Sequence, residues 1–408
     1  MDILSQIRPN EQERLLFKAT TDSFLRQINS QLKDAQAVLG GSGAKDTWLA
    51  GNHDADIFVR FNYKLYSSKS SVLPDLLELA LKKAFPKEKI SRVHGSRDYF
   101  QMHYQQFFFE VIPLLKISQA EKAVNITDVS PLHSTWVNRH TKWLKDEVRL
   151  LKQFCRAQKC YGAESYVGGF SGYVLEILTA AYGSFKKVLA ASAIWKAGTV
   201  VDVEQHYRGK NALFELNSSK HSPLIVIDPL DKSRNAAAAL TLEKFNLFKE
   251  KAGEYLKKPS EKFFEKQELT AAQLKLVFPK TVILYLEVQE QTGKRDVVGS
   301  KLLKVFAFLK EKLQPFGLIY AGWDWNKFYF VLKIRLLPAA EERSGPPLAL
   351  KEAAANFKKK NRQSYVRSGR LFCKKKIKHR SLERFTKELF KSDYFKGKVK
   401  LVKTCRVL

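Results

Sequence analysis

Three features of the 408-residue sequence predict an α+β protein of several domains. The chain exceeds the roughly 100 to 200 residues of one ordinary domain. Short apolar segments that read as strands are interspersed with longer segments of helical period. Positive charge then becomes dense toward the C-terminus, from about residue 351 onward.

The elements follow in order. Leu16, Phe17, Phe24, Leu25, Ile28 and Leu32 form a near-helical stripe within residues 10–33, with Asn10 placed as its N-cap. An apolar stretch at 35–39, a glycine-serine turn at 40–43 and an apolar run at 54–61 predict strand, turn, short helix and strand. A helix at 73–85 is stopped by Pro86, and strands follow at 99–104 and 107–115. Trp143, Leu144, Val148, Leu151 and Phe154 predict a helix over 138–157, and a second is predicted over 173–191. A strand at 223–228 enters a turn marked by Pro229 and Asp231, and residues 236–247 are expected to continue as helix. Residues 257–267 read as a linker. Strands at 281–288, 317–321 and 327–336 flank a helix at 300–313, residues 341–347 read as loop, and the remainder is a basic, helix-containing end. No internal repeat is visible.

Composition narrows the function. An apolar fraction of 45% fits a folded globular protein, and no run is long enough to span a membrane. Residues 1–14 lack the apolar core of a secretory signal, so a cytoplasmic location is expected. Cys155, Cys160, Cys373 and Cys405 have neither zinc-site spacing nor the density of a disulfide scaffold, and are read as reduced thiols. Lys and Arg number 71 against 41 Asp and Glu, a formal charge of +30. Such a field accelerates encounter with a polyphosphate backbone, and each neutralised phosphate releases counterion, so nucleic acid is the favoured partner and a membrane surface the runner-up. Residues 351–408 alone hold 20 basic and 4 acidic side chains, which places the grip there.

The most informative stretch runs from Gly41 to Phe58. On a strand alternate side chains share a face, so Asp54 and Asp56 point one way while Ala55, Ile57 and Val59 point to the core. Two like charges held that close repel unless a divalent cation neutralises them, and Mg²⁺ prefers such oxygen ligands together with substrate phosphates. The preceding glycine turn allows backbone N–H groups and the Ser42 hydroxyl to approach a phosphate, and Lys45 adds positive charge. Glu110 is a lone charge within the apolar run Phe107 to Pro113, where burial without a partner is costly; a solvent-facing edge glutamate is the alternative.

These residues carry a family resemblance. The Gly-Ser turn, basic residue, Thr47-Trp48-Leu49 and the Asp54/Asp56 pair resemble the signature of the DNA polymerase beta nucleotidyltransferase superfamily, and within it the archaeal-type (class I) CCA-adding enzymes. The segments Asp128 to Ser134, Asp146 to Lys152, Tyr161 to Glu164, Gly169 to Tyr173 and Asp228 to Asn235 resemble later blocks of the same family, so the likeness spans about residues 35–240.

The resemblance implies a polymerase-beta-type nucleotidyltransferase palm, a helical neck, a central body and a basic α/β tail. Their expected bounds are 1–137 for the catalytic head, 138–205 for the neck, 206–260 for the body and 261–408 for the tRNA-binding tail. It implies Asp54, Asp56 and Glu110 as the catalytic metal ligands, although the family usually has Asp in place of Glu110. It implies triphosphate contacts from His133, Lys152 and Tyr161, for which a structural histidine, an exposed lysine and a core tyrosine are the alternatives. Arg234 would read the base, or else pair structurally with Asp231. The implied activity is Mg²⁺-dependent, template-independent addition of C, C and A to the tRNA 3' end from CTP and ATP, by two-metal chemistry. No membrane partner is implied, and a homodimer is left open. A terminal adenylyl- or uridylyltransferase and a catalytically silent RNA-binding relative are the rivals. Trp323, Trp325 and Tyr329 are read as core in preference to base-stacking contacts.

Overall fold

A computed structural model describes residues 3–266 and 270–408, and the chain divides into two compact units, residues 1–267 and 268–408. The first unit opens with the helix Glu11–Asn29, started by Asn10, which accepts from the Glu13 backbone while the Glu13 carboxylate accepts from the Asn10 N–H. This reciprocal cap satisfies two donors that a helix start otherwise leaves open.

Five strands form a mixed sheet in the order Ala35–Leu39, Asp54–Phe61, Phe107–Leu115, Tyr99–Tyr104, Ser91–Val93. All neighbours are antiparallel except Asp54–Phe61 and Phe107–Leu115, which run parallel with Asp56 opposite Glu110. One face is covered by Phe17, Phe24 and Ile28 of the first helix and Leu73, Leu77 and Leu81 of the helix Leu73–Ala84. Each such side chain contributes about 1.5–3 kcal/mol on burial. That cover receives Ala55, Ile57 and Val59, so alternation turns Asp54 and Asp56 to the opposite face.

The helices Ser130–His140, Lys145–Ala157, Gly172–Tyr182, Phe185–Ile194 and Leu242–Lys257 build a second core around Phe154, Phe170, Phe185, Trp195 and Phe248. Here the predicted elements need correction. The helix expected over 138–157 is two, because Thr141 turns its hydroxyl back onto the Val137 carbonyl and the chain leaves the helix; Trp143, counted on the apolar stripe, is 85% exposed. The helix expected over 173–191 also breaks, at Gly183 with φ +83°, after which Ser184 caps a new one. Residues 236–247 do not continue as one helix: Asp231–Asn235 is a strand paired with Leu224–Asp228, and helix resumes only at Leu242, capped by Thr241. Thr199–Val201 completes that three-stranded sheet. Within the expected linker, Glu261–Phe264 forms a helical turn that buries Phe264 in the second core; residue 267 lies outside the described residues.

In the second unit an antiparallel sheet is ordered Leu318–Asp324, Lys327–Leu332, Val282–Glu290, Val399–Val407 and is packed by the helix Arg295–Lys312. A smaller sheet pairs Arg370–Lys376 with both Ala340–Pro347 and Ser364–Arg367. The loop expected at 341–347 is therefore an edge strand, whose Glu342 is held by Arg367 at 2.6 Å and by the Tyr365 hydroxyl. Tyr329 is buried, Trp323 packs on the core with its ring 6.0 Å from Phe306, and Trp325 lies under the Arg295 guanidinium at 4.8 Å. All four cysteines are free thiols. Among the described residues no helix is long and apolar enough to cross a membrane.

Candidate active site

The parallel register places Asp54, Asp56 and Glu110 on one face of two neighbouring strands. Burial, together with Glu110 and Asp54, lifts the Asp56 carboxyl to about 6, against the pull of Lys45 and Lys152. Three hard oxygen donors on one face of the sheet suit a divalent cation. Glu110 accepts from Gln101 Nε2 at 2.6 Å through Oε1, which leaves its second oxygen for another partner. Among the described residues no three His, Cys, Asp or Glu side chains are already gathered into a metal cage.

Gly41, with φ +53°, opens the short helix Gly41–Lys45 against this face. A Cβ there would stand 1.6 Å from Asp56 Oδ2, so only glycine leaves the carboxylate its place. Ser42 follows it, half-buried. Lys45 is buried and donates to Glu176 Oε2 at 2.6 Å. Lys152, also buried, donates to Glu176 Oε1 at 2.8 Å and to Thr47 Oγ1 at 2.9 Å. Tyr161 lies beneath the Arg156 guanidinium at 4.9 Å, with its hydroxyl against Gly172 beside the Lys152 ammonium. Both lysines thus lie within electrostatic reach of Asp56, with the Tyr161 hydroxyl beside Lys152.

His133 and Arg234 meet elsewhere, around Asp228. Arg234 Nη1 donates to Asp228 Oδ2 at 2.6 Å, so its carboxylate partner is Asp228 rather than Asp231, which instead accepts from Ser233 in its own turn. Tyr173 donates to Asp228 Oδ1 at 3.2 Å and its ring lies 4.3 Å from that of His133. Burial opposes ionisation of Asp228, yet His133, the Leu230 N–H and Arg234 hold its carboxyl below the ordinary range. His133 Nε2 is buried 3.2 Å from Asp228 Oδ2 but makes no properly directed hydrogen bond, leaving a polar atom that a ligand could satisfy. His133, Asp228 and Arg234 line a cavity of about 600 Å³ with Asn125, His206 and Lys232. Asp128 holds its wall, accepting from the Leu115, Val124 and Asn125 N–H groups and from Arg97.

The family can now be read from comparison. Residues 22–121 match the model described as a nucleotidyltransferase domain, and residues 146–265 match the tRNA nucleotidyltransferase second domain. The CCA-adding enzyme of Methanosarcina mazei is 31% identical over 378 residues, covering 88% of this chain and 80% of that protein. That of Nanoarchaeum equitans is 32% identical over 374 residues, covering 90% of each. The chain belongs to the CCA-adding enzyme family. Fold likeness reaches further, to a variant of the Cid1 poly(U) polymerase bound to MgATP, with TM-score 0.51 at 13% identity over 65% of this chain and 97% of that one. The nucleotidyltransferase match encloses Asp54, Asp56 and Glu110, and the second-domain match encloses Lys152, Tyr161, Asp228 and Arg234. Gly41 acts on this face by leaving the Asp56 carboxylate its place. Gly41→Ala is expected to lower nucleotide incorporation by about a hundredfold or more, since ångström displacements of reacting groups cost that much. The unfolding midpoint should fall only a few degrees. Steady-state kinetics beside thermal unfolding checks this, and near-normal turnover would refute the cradle.

Proposed function

We propose that this chain rebuilds the tRNA 3' end, adding C, C and A from CTP and ATP without a nucleic-acid template. The observation that carries the reading is the in-register set Asp54, Asp56 and Glu110, set beside the Gly41 cradle in a member of the CCA-adding family. In the reaction the terminal ribose oxygen attacks the α-phosphorus of the nucleotide. The bond to the β-phosphate oxygen breaks, pyrophosphate leaves, and the hydroxyl proton passes to solvent.

Asp54, Asp56 and Glu110 would hold Mg²⁺, in a pair of sites, which when bound lowers the pKa of the hydroxyl and neutralises the leaving group. Asp54 and Asp56, themselves anionic, would meet the α-phosphate only through that cation. Ser42, Lys45, Lys152 and Tyr161 take the triphosphate, with hydroxyl and ammonium donors suited to phosphate oxygens. His133 and Arg234 face the cavity beside Asp228, where Arg234, aimed by that carboxylate, presents directional donors to a base edge. The basic end, with 20 cationic side chains against 4 anionic over residues 351–408, tracks the tRNA duplex.

The test uses tRNA lacking its terminal CCA, incubated with the protein, CTP, ATP and Mg²⁺, followed by sequencing of the 3' ends. Addition of C, C and then A is expected. Incorporation of a single nucleotide type, or indifference to tRNA, would replace this reading with that of another RNA terminal transferase.

A further inference from the structure

Glu176 has no counterpart among the groups assigned above, yet it is fully buried in the helix Gly172–Tyr182. Its two oxygens accept from three donors: Lys45 Nζ at 2.6 Å, Lys152 Nζ at 2.8 Å and Thr47 Oγ1 at 2.7 Å. The donors come from separate parts of the first unit. Lys45 and Thr47 flank the end of the Gly41–Lys45 helix, and Lys152 lies on Lys145–Ala157.

A buried carboxylate is tolerated only when paired and hydrogen-bonded, and here it is over-paired, with two cations on one anion. The cluster carries a net positive charge inside the protein, and both lysines are close enough to act on Asp56. Two ammonium groups brought this near would repel each other strongly in a poorly screened interior without the anion. Burial alone would push the Glu176 carboxyl up, but Lys152 and Lys45 hold it at about 2. Burial lowers Lys152 to about 8 even though Glu176 pulls the other way.

We infer that Glu176 is a positioning residue for triphosphate recognition, holding the Lys45 and Lys152 ammonium groups side by side as a two-pronged receptor for an anion that approaches the Asp56 face. The inference rests on the nucleotidyl-transfer reading, because it takes the anion to be the β- and γ-phosphates of the incoming nucleotide. Neutralising Glu176 leaves two unrestrained neighbouring cations, of which one sheds its proton or swings away. The receptor then loses its geometry, while contacts to sugar and base are untouched.

The experiment measures equilibrium binding of CTP and of CMP to the full chain, with thermal unfolding alongside, in wild type, Glu176→Gln and Glu176→Asp. Glu176→Gln is expected to weaken CTP roughly ten- to a hundredfold, the worth of one or two hydrogen bonds to charged groups. CMP affinity should change less than about threefold, because CMP lacks the outer phosphates. Glu176→Asp keeps the charge and should recover part of the loss. A folded Glu176→Gln protein with wild-type CTP affinity, or with equal losses for CTP and CMP, overturns the inference and leaves Glu176 a structural ion pair. If the glutamine variant does not fold, the aspartate variant decides in the same way through its CTP-to-CMP ratio. Wild type that binds CTP but extends no truncated tRNA overturns the functional reading without touching Glu176, whereas wild type that binds no CTP overturns both.

Discussion

Asp56→Ala should reduce CMP and AMP incorporation by about a thousandfold or more, close to 4 kcal/mol of barrier, while tRNA affinity stays within about threefold. Asp56 stands at the centre of the site. It faces Glu110 across the parallel ladder, shares a face with Asp54, and lies against Gly41 and within electrostatic reach of Lys45 and Lys152. Its carboxyl, lifted to about 6 by burial and by its acidic neighbours, also weakens the fold slightly when ionised. The sign follows from the direction of the shift: this group favours the folded state at low pH, and that contribution is lost as pH rises through about 6. Alanine removes the strain together with the ligand, so the variant should unfold at the same temperature as wild type or slightly above it near neutral pH. Single-turnover incorporation, gel-shift titration with tRNA and thermal unfolding separate these effects. Retained incorporation would sink the metal assignment, whereas a wild type that binds tRNA but incorporates nothing would favour the silent-relative reading of the scaffold.

Arg149→Met should cost about 3–5 kcal/mol of stability, lowering the unfolding midpoint by roughly 10 °C. Arg149 is among the largest fully buried side chains. Its Nε donates to the Trp48 carbonyl at 3.0 Å, and Nη2 donates to the Asp46 carbonyl at 2.7 Å and to Asp46 Oδ1 at 2.6 Å. Nη1 reaches Asp146 Oδ1 at 2.8 Å. Asp46 sits at φ +49°, a left-handed conformation that a non-glycine residue adopts only when its surroundings insist. One guanidinium therefore fixes the backbone between Lys45 and Thr47, two of the three residues that reach Glu176. Methionine fills much of the volume but leaves two carbonyls and two carboxylates short of donors, and lysine lacks the planar fork that reaches all of them. Urea and thermal unfolding measure the loss; a midpoint within two degrees of wild type would show that water substitutes for the guanidinium.

The sequence was most transparent where one signal dominated. Alternation aligned Asp54 and Asp56 on the strand at 54–61, an apolar run located the strand at 107–115, and Asn10 marked the start of the first long helix. It was opaque where two helices abut. Trp143 fitted an apolar stripe whose members Val148, Leu151 and Phe154 are buried while Trp143 is exposed, and Gly183 sat inside a run apolar enough to conceal the left-handed turn it makes. In the site, Asp54 and Asp56 were readable because strand geometry alone puts them together. Arg234 was readable as a binding candidate, but its partner was not, since Asp231 lies nearer along the chain while the strand pairing brings Asp228 to it. Glu176 was overlooked although it carried the signal that exposed Glu110: a single charge inside an apolar segment, here between Leu175 and Ile177. Its partners lie 131 and 24 residues away, a separation that no local pattern encodes.

The parallel pairing of Asp54–Phe61 with Phe107–Leu115 has a bearing on how this protein tolerates change. Antiparallel neighbours joined by a hairpin tie their spacing to the turn, whereas parallel strands are bridged by a long crossover, here some four dozen residues. The offset between Asp56 and Glu110 is thus set by the ladder and by the packing beneath it, not by the length of chain between them. Insertions at the exposed tip Pro86, Lys87, Glu88, Lys89 leave that offset alone, while a slip of a single ladder step would carry Glu110 to the apolar side and disarm the enzyme with every residue still present.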